Sequence, residues 1–127
     1  MGEEPYSELV MQHFRNPRNV GVLEDANAVG FETNPVCGDT MRLMLRIESD
    51  RIADVRFQAE GCAAAIATSS FATEMIKGRP LAEVEGLTRQ DIERAIGGLP
   101  PSKLHCSVLA AGALRKAIAD YRRRSSP

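Results

Sequence analysis

The chain has 127 residues, of which 43% are hydrophobic and 26% charged, and its formal net charge is −1. These values are typical of one soluble domain, so we expect residues 1–127 to fold as a single unit. They argue against a nucleic-acid or membrane-surface role, and the absence of a membrane-length apolar run or a leader-like start predicts a cytoplasmic protein.

The first predicted element is a short helix with Pro5 at its first position and Asn16 and Pro17 at its end. Its apolar face consists of Tyr6, Leu9, Val10 and Phe14. His13 lies beside this face, and no second potential ligand is close to it in the sequence. We therefore interpret His13 as a packed or surface residue and not as a metal ligand.

Three strands are predicted next. A loop over residues 18–25 leads to a weak strand over residues 26–33. In the two strands that follow, apolar and polar residues alternate, as they do in a sheet with one buried face. The apolar positions are Met41, Leu43, Leu45 and Ile47 in the second strand and Ala53, Val55, Phe57 and Ala59 in the third. The short polar link at residues 49–51 predicts an antiparallel hairpin with its polar face in water and its apolar face covered by helices.

A helix over residues 62–77 is predicted in front of Gly78 and Pro80, which end it. Its first half consists almost entirely of small residues, so we expect close packing against the sheet or the site there. Two short helices are predicted over residues 81–85 and 88–96, with Thr88 and Asp91 as a capping pair.

The last predicted helix follows two prolines and carries one apolar stripe. The stripe consists of Leu104, Val108, Ala111, Leu114, Ile118 and Tyr121. Because Pro100 and Pro101 fix two φ angles and lack N–H donors, we expect an extended, exposed segment before the helix. Cys106 is predicted in or just before the first helical turn, where the helix N-terminus and Lys103 favour an exposed thiolate.

The three cysteines are an odd number without a Cys-x-x-Cys pair, so we expect free thiols in a reducing compartment. Cys37 and Asp39 occupy the predicted turn between the first two strands, and Cys62 follows the third strand. An antiparallel order allows these positions to meet at one end of the sheet, where the segment with His105 and Cys106 can dock.

This set of residues is compatible with three kinds of chemistry. Three thiolates with a nearby nitrogen or oxygen ligand suit an iron-sulfur cluster. A tetrahedral zinc site with three cysteines and one histidine fits almost as well. Nucleophilic catalysis by Cys106 with His105 is less favoured, because adjacent residues rarely form the hydrogen bond that a general base needs.

The chain resembles the IscU/NifU-type iron-sulfur cluster assembly scaffolds over essentially its whole length. The resemblance is carried, in order, by residues 13–21, 34–41, 61–70 and 99–107. It implies an α+β fold, a three-stranded antiparallel sheet with helices packed on one face. It also implies that Cys37, Cys62 and Cys106 bind a [2Fe-2S] cluster, with His105 or Asp39 as the fourth ligand.

The resemblance further implies a scaffold without turnover chemistry of its own. Its partners would be a cysteine desulfurase, an iron source with ferredoxin electrons, and acceptor apoproteins; a homo-oligomer is an open possibility. An Hsp70-type chaperone with its J-protein co-chaperone would bind Leu99, Pro100, Pro101, Ser102 and Lys103. We take Cys106 as the first persulfide acceptor, and a zinc-binding structural or regulatory protein as the alternative. Ser102 departs from the family pattern, which usually has Val there.

Overall fold

The structure, a computed structural model, describes residues 6–125 and contains one three-stranded sheet. The strands are β1 (Ala28–Thr33), β2 (Thr40–Glu48) and β3 (Arg51–Glu60), and the helices are α1 (Glu8–Arg15), α2 (Ala63–Ile76), α3 (Leu81–Val84), α4 (Arg89–Ala95) and α5 (His105–Ser125). The sheet is antiparallel in the order β1-β2-β3, so the predicted α+β fold is confirmed. Among residues 6–125, no helix is long and apolar enough to cross a membrane.

The β2–β3 hairpin turns through two residues in the left-handed region, Ser49 with φ 53° and Asp50 with φ 59°. Two left-handed residues match the twist of the flanking strands, which explains the tight turn. The pairing shifts beside Ile47, which faces Ile52 while Arg46 faces Asp54. Because the intervening Ala53 has no partner, Ile52 is buried and Ala53 is exposed, so the predicted burial of Ala53 is wrong.

The apolar side of the sheet is covered by α2 and α5, as predicted. Its largest fully buried side chains include Met41, Leu43, Leu45 and Phe57. Met44 alternates with the predicted apolar positions Leu43 and Leu45 and so falls on the predicted water-facing side, but it is only 5% exposed. It lies between Val29 and Arg56 in the register, and these neighbours on the same face account for its burial.

The predicted stripe of the last helix is confirmed at Ala111, Leu114 and Ile118, which are buried, but the close approach of α5 to β1 makes the buried face wider. A side chain on Gly30 would place its Cβ 2.1 Å from the carbonyl oxygen of Ala113. Small residues on α5 therefore form the face that packs on the sheet, and Ala113 and Ala117 are fully buried. Leu104 and Val108, predicted to be buried, are 38% and 41% exposed.

The N-terminal helix begins later than predicted. Ser7 is the N-cap and accepts a hydrogen bond from the backbone N–H of Val10, and the helix ends before Asn16. Pro5 lies outside the described residues. His13 is buried, its Nδ1 lies 2.7 Å from Ser70 Oγ, and it is a packed residue as interpreted.

The remaining predicted elements are confirmed with small changes at their ends. The first half of α2 is tightly packed, since Ala64, Ala65 and Ala67 are almost fully buried. Thr88 and Asp91 form the predicted capping box at the start of α4. In the predicted loop after α1, Val20 bridges in parallel to Phe57 and covers the free edge of β3.

Candidate metal centre

The candidate ligands lie at one end of the sheet because of the strand register. Thr33 at the end of β1 pairs with Thr40 at the start of β2, which pairs with Glu60 at the end of β3. The turn between β1 and β2 carries Cys37 and Asp39, and Cys62 follows Glu60. The predicted convergence of these chain positions is therefore found.

Two groups of ligand atoms can be distinguished at this end. One ligand atom each of Cys37, Asp39 and His105 lie within 4.8 Å of one another. In the second group, Cys62 Sγ lies 3.9 Å from Cys106 Sγ and 3.7 Å from Asp39 Oδ2. Asp39 belongs to the first group and also contacts Cys62 of the second. The five predicted site residues therefore form one connected cluster.

The three thiols differ in exposure, and Cys106 differs from our expectation. Cys37 is exposed, Cys62 is half-buried and Cys106 is buried, with only 1% of its surface exposed. Burial raises the pKa of the Cys106 thiol to about 12, and the negative charges of Cys62 and Asp39 add to the rise while Lys103 opposes it. The prediction of an exposed Cys106 with a favoured thiolate is therefore wrong.

Cys106 is buried because of the face of α5 on which it lies. The helix begins at His105, so Cys106 belongs to its first turn and has a fixed direction. Leu109, Ala110 and Ala113 follow Cys106 at spacings of three, four and seven, and all are buried. Cys106 thus lies on the inward face of the helix, while His105, about 100° away, is only half-buried.

The segment with the two prolines is only partly as predicted. Pro100 is extended, with φ −58° and ψ 149°, but residues Pro101–Lys103 form one turn of 3-10 helix that leads into α5. Pro100 is buried and Leu99 is half-buried against a small apolar cluster, whereas Pro101 and Ser102 are exposed. The expectation of a fully extended, exposed segment is wrong, because the chain turns compactly before the helix.

Two residues without an assigned role in the sequence analysis shape this end of the sheet. A Cβ on Gly61 would lie 2.4 Å from Asp39 Cγ, so the missing side chain leaves room for the carboxylate. Asn34 is 7% exposed, and its Nδ2 donates to the carbonyl oxygen of His105 at 3.2 Å. The Asn-Pro pair at a strand end signals a side-chain-stabilised turn and could have indicated this residue.

The donor set fits a soft metal ion or an iron-sulfur cluster. Three sulfur atoms supply the ligands that such iron prefers, while the Asp39 oxygen and the His105 nitrogen supply harder ones. The same atoms are compatible with zinc. All five side chains come from a turn or a helix start.

Comparisons with known proteins identify the family of the chain. The family model described as the NifU-like N terminal domain matches residues 5–126. The iron-sulfur cluster assembly scaffold protein IscU 1 of Archaeoglobus fulgidus is 56% identical over 120 residues, which cover 94% of this chain and 78% of the relative. The iron-sulfur cluster assembly scaffold protein IscU of Escherichia coli (strain K12) is 45% identical over 121 residues, covering 92% and 94% of the two chains.

A solved structure resembles the whole fold. It is described as a putative iron-sulfur cluster assembly scaffold protein for the SUF system from Fervidobacterium islandicum AW-1. The TM-score is 0.74 at 25% sequence identity, and the match covers 89% of this chain and 96% of the other. Together, the family model over nearly the whole chain and relatives at 45% to 56% identity show that the chain belongs to the NifU-like N terminal domain family.

Proposed function

We propose that this protein is a scaffold on which a [2Fe-2S] cluster is assembled and from which it is passed to acceptor apoproteins. The names of its relatives support a role in iron-sulfur cluster assembly. The observation that carries the finer proposal is the connected cluster of three thiols, Asp39 and His105 at the end of the sheet. Cys37, Cys62 and Cys106 hold the cluster, and Asp39 or His105 completes the set.

The cluster is cargo, so its ligands must both bind and release it. Asp39 contacts Cys62 and lies in one ligand group with Cys37 and His105. Its oxygen can therefore replace, or be replaced by, a neighbouring ligand atom on the iron. A carboxylate is a harder ligand than a thiolate, which weakens its hold on thiolate-preferring iron. An exchangeable oxygen ligand of this kind favours a labile cluster.

The chemistry of assembly is supplied by partners, and the protein acts as a non-catalytic carrier in the cytoplasm. A cysteine desulfurase transfers sulfur to a scaffold thiol as a persulfide. Two electrons from a ferredoxin then break the sulfur–sulfur bond, which releases sulfide for the cluster and restores the thiolate. Iron enters from a separate donor.

The segment Leu99, Pro100, Pro101, Ser102 and Lys103 is proposed as the site of an Hsp70-type chaperone and its J-protein co-chaperone. Pro101 and Ser102 are exposed, and the segment leads directly into the turn that carries His105 and Cys106. Binding in an extended form would unwind the 3-10 turn and pull on both ligands. Replacing Pro100 and Pro101 by Ala should weaken chaperone binding, and equal affinities in calorimetry would refute this assignment.

Anaerobic reconstitution with desulfurase, cysteine and ferrous iron tests the scaffold function. We expect a red-brown protein with sulfide-to-iron charge-transfer absorption. When apo-ferredoxin is added as an acceptor, the cluster should be transferred to it. Serine at Cys37, Cys62 or Cys106 should reduce cluster formation severely. A colourless protein that keeps zinc and excludes iron and sulfide would instead support the alternative, a structural or regulatory zinc protein.

A further inference from the structure

Asn34 connects the two chain segments that carry most of the proposed ligands. It follows β1 directly and is 7% exposed. Its Nδ2 donates to the carbonyl oxygen of His105 at 3.2 Å, and its Oδ1 accepts from the backbone N–H of Val36 at 2.9 Å. One amide side chain therefore binds the β1–β2 turn and the first residue of α5 at the same time.

The backbone of Asn34 closes the same turn. Its N–H donates to the carbonyl oxygen of Asp39 at 2.8 Å, and its carbonyl oxygen accepts from the N–H of Gly38 at 2.7 Å. Both backbone groups and both side-chain groups of Asn34 thus bind either the turn that surrounds Cys37 or the start of α5.

We propose that Asn34 is a positioning residue for the ligand group of Cys37, Asp39 and His105. Its amide holds the turn against the start of α5, which keeps the three ligand atoms within 4.8 Å of one another. This inference rests on the proposed function, since it takes these side chains as ligands. Neither partner of the Asn34 side chain is a ligand atom, so Asn34 acts through the turn and the helix.

Asn34→Asp isolates the proposed contact. The carboxylate keeps the acceptor for Val36 but loses the donor, and it places an oxygen against the carbonyl oxygen of His105. Asn27→Asp is the matched control, because Asn27 donates to the carbonyl of Ile47 at 2.9 Å and accepts from its N–H at 2.8 Å. That pair lies at the opposite end of the sheet, where β1 begins.

The probe is Co²⁺ alone, followed through its thiolate-to-cobalt charge-transfer absorption. Loss of a residue that orients ligands typically weakens metal binding about 10- to 100-fold, and we expect this for Asn34→Asp. The Co²⁺ affinity of Asn27→Asp should stay within about twofold of that of the parent, even if its urea midpoint shifts as much as that of Asn34→Asp. Parental affinity in Asn34→Asp, or an equal loss in both variants, would overturn the proposal.

A second pair of variants shows whether Asn34 acts through the turn. Cys37→Ser should weaken Co²⁺ binding in the parent but add little in the Asn34→Asp background. Fully additive losses would contradict a shared role. If Asn34→Asp does not fold, Asn34→Ser keeps a short acceptor for Val36 without reaching His105, and the same expectations apply to it.

The result can be separated from a failure of the proposed function. A parent that binds Co²⁺ through thiolates but builds no cluster would refute the scaffold function, and the two Asn variants would still decide the role of Asn34. A parent that builds clusters while Asn34→Asp binds Co²⁺ like the parent refutes only the positioning role. A parent that binds no Co²⁺ refutes both.

Discussion

Gly61→Ala perturbs the Asp39 carboxylate without removing a proposed ligand. The added Cβ would lie 2.4 Å from Asp39 Cγ and 2.7 Å from both carboxylate oxygens. Carbon atoms in contact normally keep about 3.5–4.0 Å, so the two groups must separate by more than about 1 Å. Overpacking of this kind costs about 1–3 kcal/mol of the free energy of unfolding. The carboxylate can escape by rotating away, which would break its contact with Cys62.

A double-mutant cycle with Asp39→Ala isolates this interaction, measured by urea unfolding. Gly61 has φ 158°, so a side chain there carries a backbone cost in both backgrounds. In the parent, Gly61→Ala should cost about 1–3 kcal/mol beyond that backbone cost. In the Asp39→Ala background the extra cost should fall below about 0.5 kcal/mol, because the obstructing carboxylate is gone. Gly86→Ala is the control, since a Cβ there meets no atom within 4 Å. Additive costs of Gly61→Ala and Asp39→Ala would refute the reasoning.

Three further predictions concern His13, the persulfide acceptor and Asp39. Burial and the nearby Arg18 lower the pKa of His13, so the unfolded chain binds more protons than the folded protein. The free energy of unfolding should therefore fall as the pH drops below about 6.5. Urea midpoints measured from pH 7.5 to 5 should show this fall, and His13→Gln should make it smaller. Desulfurase treatment should place the persulfide on exposed Cys37 and not on buried Cys106. Mass spectrometry of protein digests locates the persulfide, and finding it mainly on Cys106 would contradict this prediction. Asp39→Ala should lengthen the lifetime of the cluster in an anaerobic decay assay, since it removes the hard oxygen, and an unchanged or shorter lifetime would argue against that role.

The sheet was largely predictable because alternation of apolar and polar residues reports directly on a pleated strand. The errors in the strands arise where structure that the sequence pattern does not indicate changes which side chains are buried. The unpaired Ala53 reverses the alternation near the hairpin, and nothing in a period of two indicates where such a bulge lies. Met44 is buried by its neighbours on the polar face, which depends on the register of two other strands.

The predicted stripe of α5 is wrong at Leu104 and Val108 only, since Ala111, Leu114 and Ile118 are buried. The predicted stripe is set mainly by large apolar residues, Leu104 and Val108 among them, because burial of large side chains usually contributes most. In the structure the sheet approaches so closely at Gly30 that only small side chains fit opposite it. The buried face therefore also contains Ala113 and Ala117, whereas Leu104 and Val108 remain exposed.

The site illustrates the difference between the position of a residue and its direction. The ends of strands and helices determine where a ligand lies along the chain, so the gathering of Cys37, Cys62 and Cys106 at one end of the sheet was predictable. Their exposure depends on the phase of α5 and on the turn held by Asn34, which the sequence pattern did not reveal. The resulting gradient, from exposed Cys37 to buried Cys106, has a functional consequence. Under the proposed function we expect a sulfur donor to reach exposed Cys37 first, and buried Cys106 to contact only cargo that has already entered the site.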